Sequence, residues 1–168
     1  MHECLVSGVV KLLRCKWLSN EHQSISKDMT RVLATGTFDI PHPGHLFYLS
    51  QASALGDELY VIVARASMIK HKPKPILPDE HRLLMVQALE VVDHAVLGSE
   101  TDIFEPLHEI MPDIIALGFD QHFDVGDLER GLADRGFDTE VVRIKGSNSD
   151  RLCSTRRIID RILEMNKI

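Results

Sequence analysis

The chain has 168 residues, of which 44% are hydrophobic and 26% charged. This composition is typical of one ordinary globular domain that folds without disulfide bonds or structural metal sites. Its formal net charge is −6, which disfavours a nucleic-acid partner because nucleic-acid binding needs a broad basic surface. No apolar run reaches the ~18 residues of a membrane span, and three scattered cysteines (Cys4, Cys15 and Cys153) favour a reducing cytoplasm over a disulfide or zinc framework.

Residues 1–29 differ from the rest of the chain in charge. They hold four Lys and Arg against three Asp and Glu, a net charge of +1, so the other 139 residues hold −7. We expect an N-terminal extension over 1–29, with Met29 as a candidate for the true start of the protein. The alternative is an amphipathic helix that caps the domain or binds a partner.

From Arg31 onward, apolar strands alternate with segments of helical periodicity. Strands are predicted at 31–37, 57–64, 94–97, 113–118 and 139–144, and helices at 44–56, from about Asp79, at 102–111, near 125–135 and at 154–166. Strands separated by helices of about ten residues need crossover connections. The pattern therefore predicts a single doubly wound, Rossmann-like α/β domain with a five-stranded parallel sheet.

Polar and basic side chains follow the predicted strand ends, which is where doubly wound sheets bind their ligands. After the first strand come Thr37, Phe38, Asp39, His42, Gly44 and His45; after the second, Arg65, Lys70, Lys72 and Lys74; after the fourth, Asp120 and Gln121; after the last, "KGSNSDRLCSTRR" (145–157). Together they predict a site for a phosphorylated ligand.

The segment "PHPGH" (41–45) lies where the first strand passes into the first helix, so the free N–H groups of that helix face the site. Gly44 lets an anion approach the backbone closely. His42 and His45 can both donate hydrogen bonds to one phosphate as negative charge builds there. Spacing alone leaves two alternatives open: a proline-stiffened turn with surface histidines, and a metal site that lacks a nearby third ligand.

Two further features carry alternatives of their own. Ser154 and Thr155 begin the last predicted helix beside two arginines, which suits either a polyphosphate or a plain N-cap followed by a solvated basic turn. Arg82 shares a helical stripe with Met85 and Leu89, so it points inward and needs an anionic partner. That partner is either a structural carboxylate or a substrate phosphate.

Taken together, "GTFDIPHPGH" and "CSTRRI" resemble motifs of the cytidylyltransferase-like nucleotidyltransferases, and the likeness extends over residues 31–163. The segments "LGDELYVIVAR", "KPILPDEHRLLMVQALEVVDHAVLGS" and "PDIIALGFDQ" are most similar to the archaeal-type FAD synthases. The resemblance implies a nucleotidyltransferase domain over 30–168 that moves AMP from ATP to FMN by direct in-line attack, giving FAD and pyrophosphate. It also implies a divalent metal cation, Mg in the simplest case, a cytoplasmic location, and a homodimer as a candidate assembly.

The same resemblance assigns residue roles. His42 and His45 are the expected catalytic residues, and Lys72 and Arg82 are candidates for binding the acceptor's phosphate. Because the acceptor is already an anion, positioning and charge stabilisation suffice, and no general base or covalent intermediate is expected. The expected nucleotide-binding residues are Thr37, Phe38, His42, Pro43, Gly44, His45, Asp120, Ser154 and Thr155.

Two other functions stay open at this stage. A CTP-dependent cytidylyltransferase for glycerol 3-phosphate or a similar alcohol phosphate would use the same chemistry. It is disfavoured because only the Ser-Thr core and one arginine remain of the longer late motif of CTP-using relatives. A non-catalytic nucleotide-binding sensor is the second alternative, although a sensor has no need of His42, His45 and Ser154.

Overall fold

A computed structural model describes residues 29–70, 72–146 and 152–166. Its five strands are β1 (Arg31–Gly36), β2 (Glu58–Val63), β3 (His94–Leu97), β4 (Ile114–Leu117) and β5 (Glu140–Arg143). They form one all-parallel sheet in the order β3-β2-β1-β4-β5, which confirms the predicted doubly wound fold. The expected N-terminal extension, Met29 apart, lies outside the described residues.

The crossover connections carry the helices α1 (Pro43–Ser53), α2 (Asp79–Gln87), α3 (Leu107–Ile110) and α4 (Val125–Ala133), and α5 (Thr155–Met165) follows the last strand. A 3₁₀ turn spans Ala66–Met68 in the loop after β2. None of the helices within the described ranges is long and apolar enough to cross a bilayer.

Both faces of the sheet are covered, as the nearly continuous apolar strands require. Val32 and Ala34 of β1 belong to one buried cluster, which also contains Leu49 and Ala52 of α1. Leu33, which points to the opposite face, belongs to a second cluster that also draws on the α3 and α4 side of the sheet. Alternate residues of the central strand therefore anchor two separate halves of the core.

The predicted helix over 102–111 forms only as the single turn Leu107–Ile110. The side chains of Ser99 and Asp102 accept hydrogen bonds from backbone N–H groups just after them, which makes turns instead of a first helical turn. Pro106 has no N–H to offer a longer helix. Local side-chain hydrogen bonding therefore overrides the apolar periodicity here.

The first helix also ends earlier than predicted, at Ser53 and not at Gly56. A Cβ atom at Gly56 would lie 2.6 Å from the carbonyl oxygen of Thr30, so this glycine permits close packing at the entry to β1. Leu46, near the start of this helix, is exposed, whereas Leu49 and Ala52 are buried.

The strand order places the topological switch between β1 and β4. Their pairing ends at Ala34 and Ala116, and beyond this point the hydroxyl of Tyr48 bridges the two strands. It donates to the carbonyl of Ala116 at 2.7 Å and accepts from the N–H of Thr35 at 3.2 Å. Burial raises the pKa of the Tyr48 hydroxyl, which keeps it protonated as a donor. The predicted site lies at this carboxyl edge of the sheet.

Candidate functional site

The turn between β1 and α1 has an unusual backbone. Phe38 and Ile40 both have left-handed φ angles, 52° and 46°. The ring of Phe38 is buried beneath Gly36, where an added Cβ would come within 2.7 Å of it. Any contact of Phe38 with a ligand therefore comes from its backbone, while its ring fixes the turn from below.

His42 and His45 lie side by side at the start of α1. His42 is the N-cap, and its Nδ1 accepts from the N–H of His45 at 3.3 Å, while Pro43 occupies the first helical position. The two imidazole rings stack with centroids 3.7 Å apart. The Nδ1 atom of His45 is buried and has no partner within the described part of the chain. The segment thus makes the predicted strand-to-helix turn, with the two imidazole rings stacked on each other.

Both imidazoles are held in the neutral form. Burial, with smaller contributions from the charges of His42 and Lys72, lowers the pKa of His45 to about 3, although Asp39 opposes the shift. Burial also lowers the pKa of His42, against the carboxylate of Asp120. At neutral pH, the pair therefore offers N–H donors and not full positive charges.

The N-terminus of α5 meets the N-terminus of α1. A Cβ on Gly44 would lie 2.7 Å from the carbonyl oxygen of Cys153, so the two segments touch through the glycine backbone. Ser154 is the N-cap of α5 and accepts from the N–H of Arg157 at 3.3 Å. Two eleven-residue helices thus point their positive ends toward one region, which suits an anion with several charges.

Thr155 and Asp39 link these elements. The Thr155 hydroxyl donates to the carbonyl of Asp39 at 2.5 Å. The Asp39 carboxylate is buried and accepts from the N–H groups of Ile76 and Leu77 at 2.9 and 3.0 Å. The sequence pattern places Asp39 beyond a strand end but assigns it no role, because its partners come from distant segments.

Arg82 has different partners from the expected acceptor phosphate. Its side chain is 0% exposed, and its Nη2 pairs with Asp79 at 2.5 Å. The other donors reach the carbonyls of Thr37 at 2.5 Å, Ala64 at 2.8 Å and Leu77 at 3.2 Å. Since the guanidinium is buried among protein acceptors, the structural-carboxylate alternative describes this arginine, and its contribution to the site is to hold the loops that form it.

Of the lysines after β2, Lys72 is exposed and near enough to His45 to lower the pKa of that imidazole. Lys74 instead donates to the carbonyls of Ala66 and Ile69, at 2.6 and 2.9 Å, and so caps the 3₁₀ turn. Lys72 and Arg82 are the residues expected to bind the acceptor's phosphate. Of these two, Lys72 is the one whose charge is exposed near the histidine pair.

Asp120 is exposed in the loop after β4, near enough to His42 for its carboxylate to oppose the lowering of the pKa of that imidazole. Its neighbour Gln121 donates through Nε2 to the carbonyl of Thr35 at 2.7 Å and accepts from the N–H of Gly118 at 2.9 Å. Arg143, at the end of β5, donates to the carbonyls of Gly118 and Gln121 at 3.0 and 2.9 Å. These two side chains fix the loop that presents Asp120. Their hydrogen bonds to the backbone of neighbouring segments could not be predicted from the sequence.

A resident metal centre does not fit the described residues, which contain no group of three or more His, Cys, Asp and Glu side chains able to hold an ion. The third ligand that a His-x-x-His metal site needs is therefore missing from this part of the chain.

Residues 33–161 match the family model described as cytidylyltransferase-like. Among curated proteins, the chain is 64% identical over 136 residues to the FAD synthase of Methanococcoides burtonii, covering 81% of this chain and 95% of that protein. It is 57% identical over 139 residues to the FAD synthase of Archaeoglobus profundus, covering 83% of this chain and 90% of that protein.

Solved structures show the same architecture. A crystal structure of the lipopolysaccharide core biosynthesis protein from Thermoplasma volcanium GSS1 aligns with a TM-score of 0.69 and 44% identity, covering 71% of this chain and 99% of that one. Pantoate-beta-alanine ligase from Francisella tularensis aligns with a TM-score of 0.51 at 16% identity, covering 84% and 72%, a likeness of fold alone.

Proposed function

Because the chain belongs to the cytidylyltransferase-like family and groups there with archaeal FAD synthases, we propose that it is an FMN adenylyltransferase that makes FAD and pyrophosphate from ATP and FMN. The observation that carries the chemistry is the convergence of two helix N-termini on a pair of neutral histidines. The choice of ATP and FMN follows relatives that are 57–64% identical and bear the name FAD synthase.

The reaction is a single displacement. A phosphate oxygen of FMN attacks the α-phosphorus of ATP and forms the new P–O bond. The bond from the α-phosphorus to the oxygen bridging to the β-phosphate breaks, and pyrophosphate leaves with that electron pair. The nucleophile is an anion before it reacts, so no side chain has to remove a proton.

His42 and His45 stabilise the charge that develops on the α-phosphate. The Nδ1 of His42 is occupied as an acceptor, so its proton is on Nε2, which is free to donate toward a phosphate oxygen. His45 uses its Nε2 in the same way, because its Nδ1 is buried. Each such donor in a preorganised site contributes roughly 10²–10³ in rate.

The remaining roles are those that the family resemblance implies, and the positions of these residues support them. The outer phosphates bind at the N-terminus of α5, to its backbone N–H groups and to Ser154 and Thr155. The inner phosphates are lined by Thr37, Phe38, Pro43 and Gly44. Asp120 contacts the nucleoside. Lys72 binds the phosphate of FMN as a point charge.

Mg²⁺ bound to the triphosphate of ATP, as part of that substrate, would neutralise charge on the leaving pyrophosphate. We place the enzyme in the cytoplasm, where Cys153, a free thiol half-buried beside the site, stays reduced. Assembly as a homodimer stays a prediction.

Pyrophosphate release tests the proposal. The purified protein is incubated with Mg²⁺ and either ATP or CTP, each with FMN or glycerol 3-phosphate, and products are separated by chromatography. We expect release only with ATP and FMN, with FAD formed in equal amount. Release only with CTP and glycerol 3-phosphate would overturn the substrates while keeping the displacement mechanism. Absence of pyrophosphate release with every combination of substrates, with ATP binding retained, would favour the sensor alternative.

A further inference from the structure

Asp39 is held on two sides by segments that carry different parts of the proposed site. Its carboxylate accepts from the N–H groups of Ile76 and Leu77, at the end of the loop that carries Lys72. Its carbonyl accepts from the hydroxyl of Thr155, the first residue of α5. One residue therefore joins the acceptor side of the site to the triphosphate side.

The backbone around Asp39 has little freedom to adjust. Both of its neighbours, Phe38 and Ile40, have left-handed φ angles, a conformation that non-glycine residues keep only when the surroundings enforce it. The Asp39 side chain is 7% exposed, so its carboxylate depends on the two N–H donors in place of water. A shift of either donor therefore displaces the Asp39 side chain and, with it, the Asp39 backbone.

Arg82 ties the same two segments at a second point. Its Nη1 donates to the carbonyl of Thr37, two residues before Asp39, and its Nε donates to the carbonyl of Leu77. The segments 37–39 and 76–77 therefore move together, with the guanidinium on one side and the carboxylate on the other.

We propose that Asp39 is a positioning residue that couples nucleotide binding to acceptor binding. Phosphates bound at the start of α5 fix Thr155, whose hydroxyl fixes the Asp39 carbonyl, and the Asp39 carboxylate in turn fixes residues 76–77 and with them the loop that presents Lys72. The inference rests on the proposed function, because it takes Lys72 as the contact of the acceptor's phosphate. Asp39 itself touches neither substrate.

The first test reads the tie directly and does not depend on turnover. Asp39→Asn keeps the shape of the side chain but replaces one acceptor oxygen by a donor, so one of the two backbone N–H groups loses its partner. By NMR hydrogen exchange on the full chain, we expect the amide of Ile76 or Leu77 to exchange about 10- to 100-fold faster than in the parent. Unchanged exchange at both amides would overturn the proposal.

Asp93→Asn is the matched control. The Asp93 carboxylate also accepts from a backbone N–H, that of Leu59 at 2.8 Å, but at the opposite edge of the sheet. The exchange of the Ile76 and Leu77 amides should be the same in this variant as in the parent. Equal acceleration in both variants would indicate general loosening and count against a specific tie.

Kinetics then separate positioning from mere stability. In Asp39→Asn we expect the KM for FMN to rise about 10- to 100-fold at saturating ATP. The KM for ATP, measured with FMN far below its own KM, should change by less than about threefold. A fall in kcat with both KM values unchanged would mean that the substitution only reduces the fraction of folded enzyme, and would overturn the coupling role.

A second variant covers the case in which Asp39→Asn does not fold. Thr155→Val removes the hydroxyl that donates to Asp39, and Thr155→Ser keeps one. We expect Thr155→Val to raise the KM for FMN as well as for ATP, and Thr155→Ser to restore the value for FMN. An effect on ATP alone would overturn the coupling. If the parent protein has no FMN turnover, the proposed function fails, and the exchange experiment still decides whether Asp39 ties the two segments.

Discussion

His42 and His45 differ in their surroundings although they are only one helical turn apart. His42 caps the helix and uses one ring nitrogen to do so, whereas His45 lies deeper, in an edge-to-face contact with Phe38 whose ring centroids are 5.3 Å apart. Stacked rings this close cannot both be positively charged imidazolium without strong repulsion. In the proposed mechanism, the pair therefore acts as two neutral donors with fixed directions, a form that stabilises a phosphoryl transition state.

Replacing His45 by alanine tests that role. We expect kcat to fall roughly 10²–10³-fold because one transition-state donor is lost. ATP affinity, measured by calorimetry, should fall much less, because the donor acts on charge that develops during the reaction. His94→Ala, on edge strand β3 against Tyr60, serves as the control and should retain activity. Equal losses of binding and turnover in His45→Ala would favour a binding role only.

The same burial predicts a pH dependence of stability. His45 has a pKa of about 3 in the folded protein against 6.5 in a model peptide, so below pH 6.5 the unfolded chain binds a proton that the folded chain does not. The contribution of neutral His45 is therefore complete above pH 6.5 and is lost as the pH falls toward 3. The limiting slope is about 1.4 kcal/mol per pH unit.

Urea unfolding between pH 7 and pH 4.5 measures this slope, and the comparison is between variants because carboxylates also titrate in this range. His45→Gln should lose stability less steeply than the parent as the pH falls. His94→Gln, the same exchange at an exposed histidine, should follow the parent curve. Parallel curves for all three proteins would contradict the neutral, buried state of His45.

At the scale of elements, the site is made where α1 and α5 meet end to end. The apolar periods of the chain predict both helices and the strand-to-helix turn that carries "PHPGH", since these are local properties. The contact between the helices is not local, because Gly44 and Cys153 lie on opposite ends of the domain sequence. The same holds for Arg82, whose partners come from three other segments. Sequence spacing shows that this arginine points inward but not what it meets there.

Gly44→Ala tests the helix contact. The new Cβ would lie 2.7 Å from the Cys153 carbonyl and 3.0 Å from the His42 ring, so the two helix N-termini must separate. A displacement of about 1 Å suffices to lower kcat/KM by roughly 10²-fold, and overpacking of this kind costs about 1–3 kcal/mol of stability. Steady-state kinetics and urea unfolding measure the two effects.

Gly131→Ala is the matched control for that substitution. Gly131 lies inside α4, and a Cβ there meets only side-chain atoms at 3.6 and 3.9 Å. The added methyl should stabilise the protein by about 0.5–1 kcal/mol, because alanine favours the helix more than glycine does, and should leave kinetics unchanged. Full activity of Gly44→Ala would show that the helix contact is not needed for the site.

At the scale of the whole molecule, the doubly wound sheet decides where the site lies. The sequence predicts both this sheet and a site at the ends of its strands. Alternating strands and helices of ordinary length allow few other arrangements than a doubly wound parallel sheet. What the alternation could not indicate is how the gap between the diverging strands β1 and β4 is closed. The Tyr48 hydroxyl closes it, and no feature of the sequence around this residue indicates that bridge.

Tyr48→Phe removes this bridge and leaves the Ala116 carbonyl and the Thr35 N–H without their partner. We expect the free energy of unfolding to fall by about 1–3 kcal/mol, the cost of buried polar groups left unsatisfied. Tyr60→Phe is the control, since the Tyr60 hydroxyl makes one long contact of 3.4 Å with Glu58, and should change stability by about 0.5 kcal/mol or less. Equal changes in the two variants would contradict a bridging role for Tyr48.

The bond between Thr155 and Asp39 joins residues 116 positions apart, and this separation sets an order of assembly during synthesis. All five strands, the last ending at Arg143, leave the ribosome before Thr155 does. At about 5–20 residues per second, the sheet and the histidine turn are available about a second or two before the last helix. The last helix therefore reaches strands and a histidine turn that were made before it, and the bond between Thr155 and Asp39 forms after them.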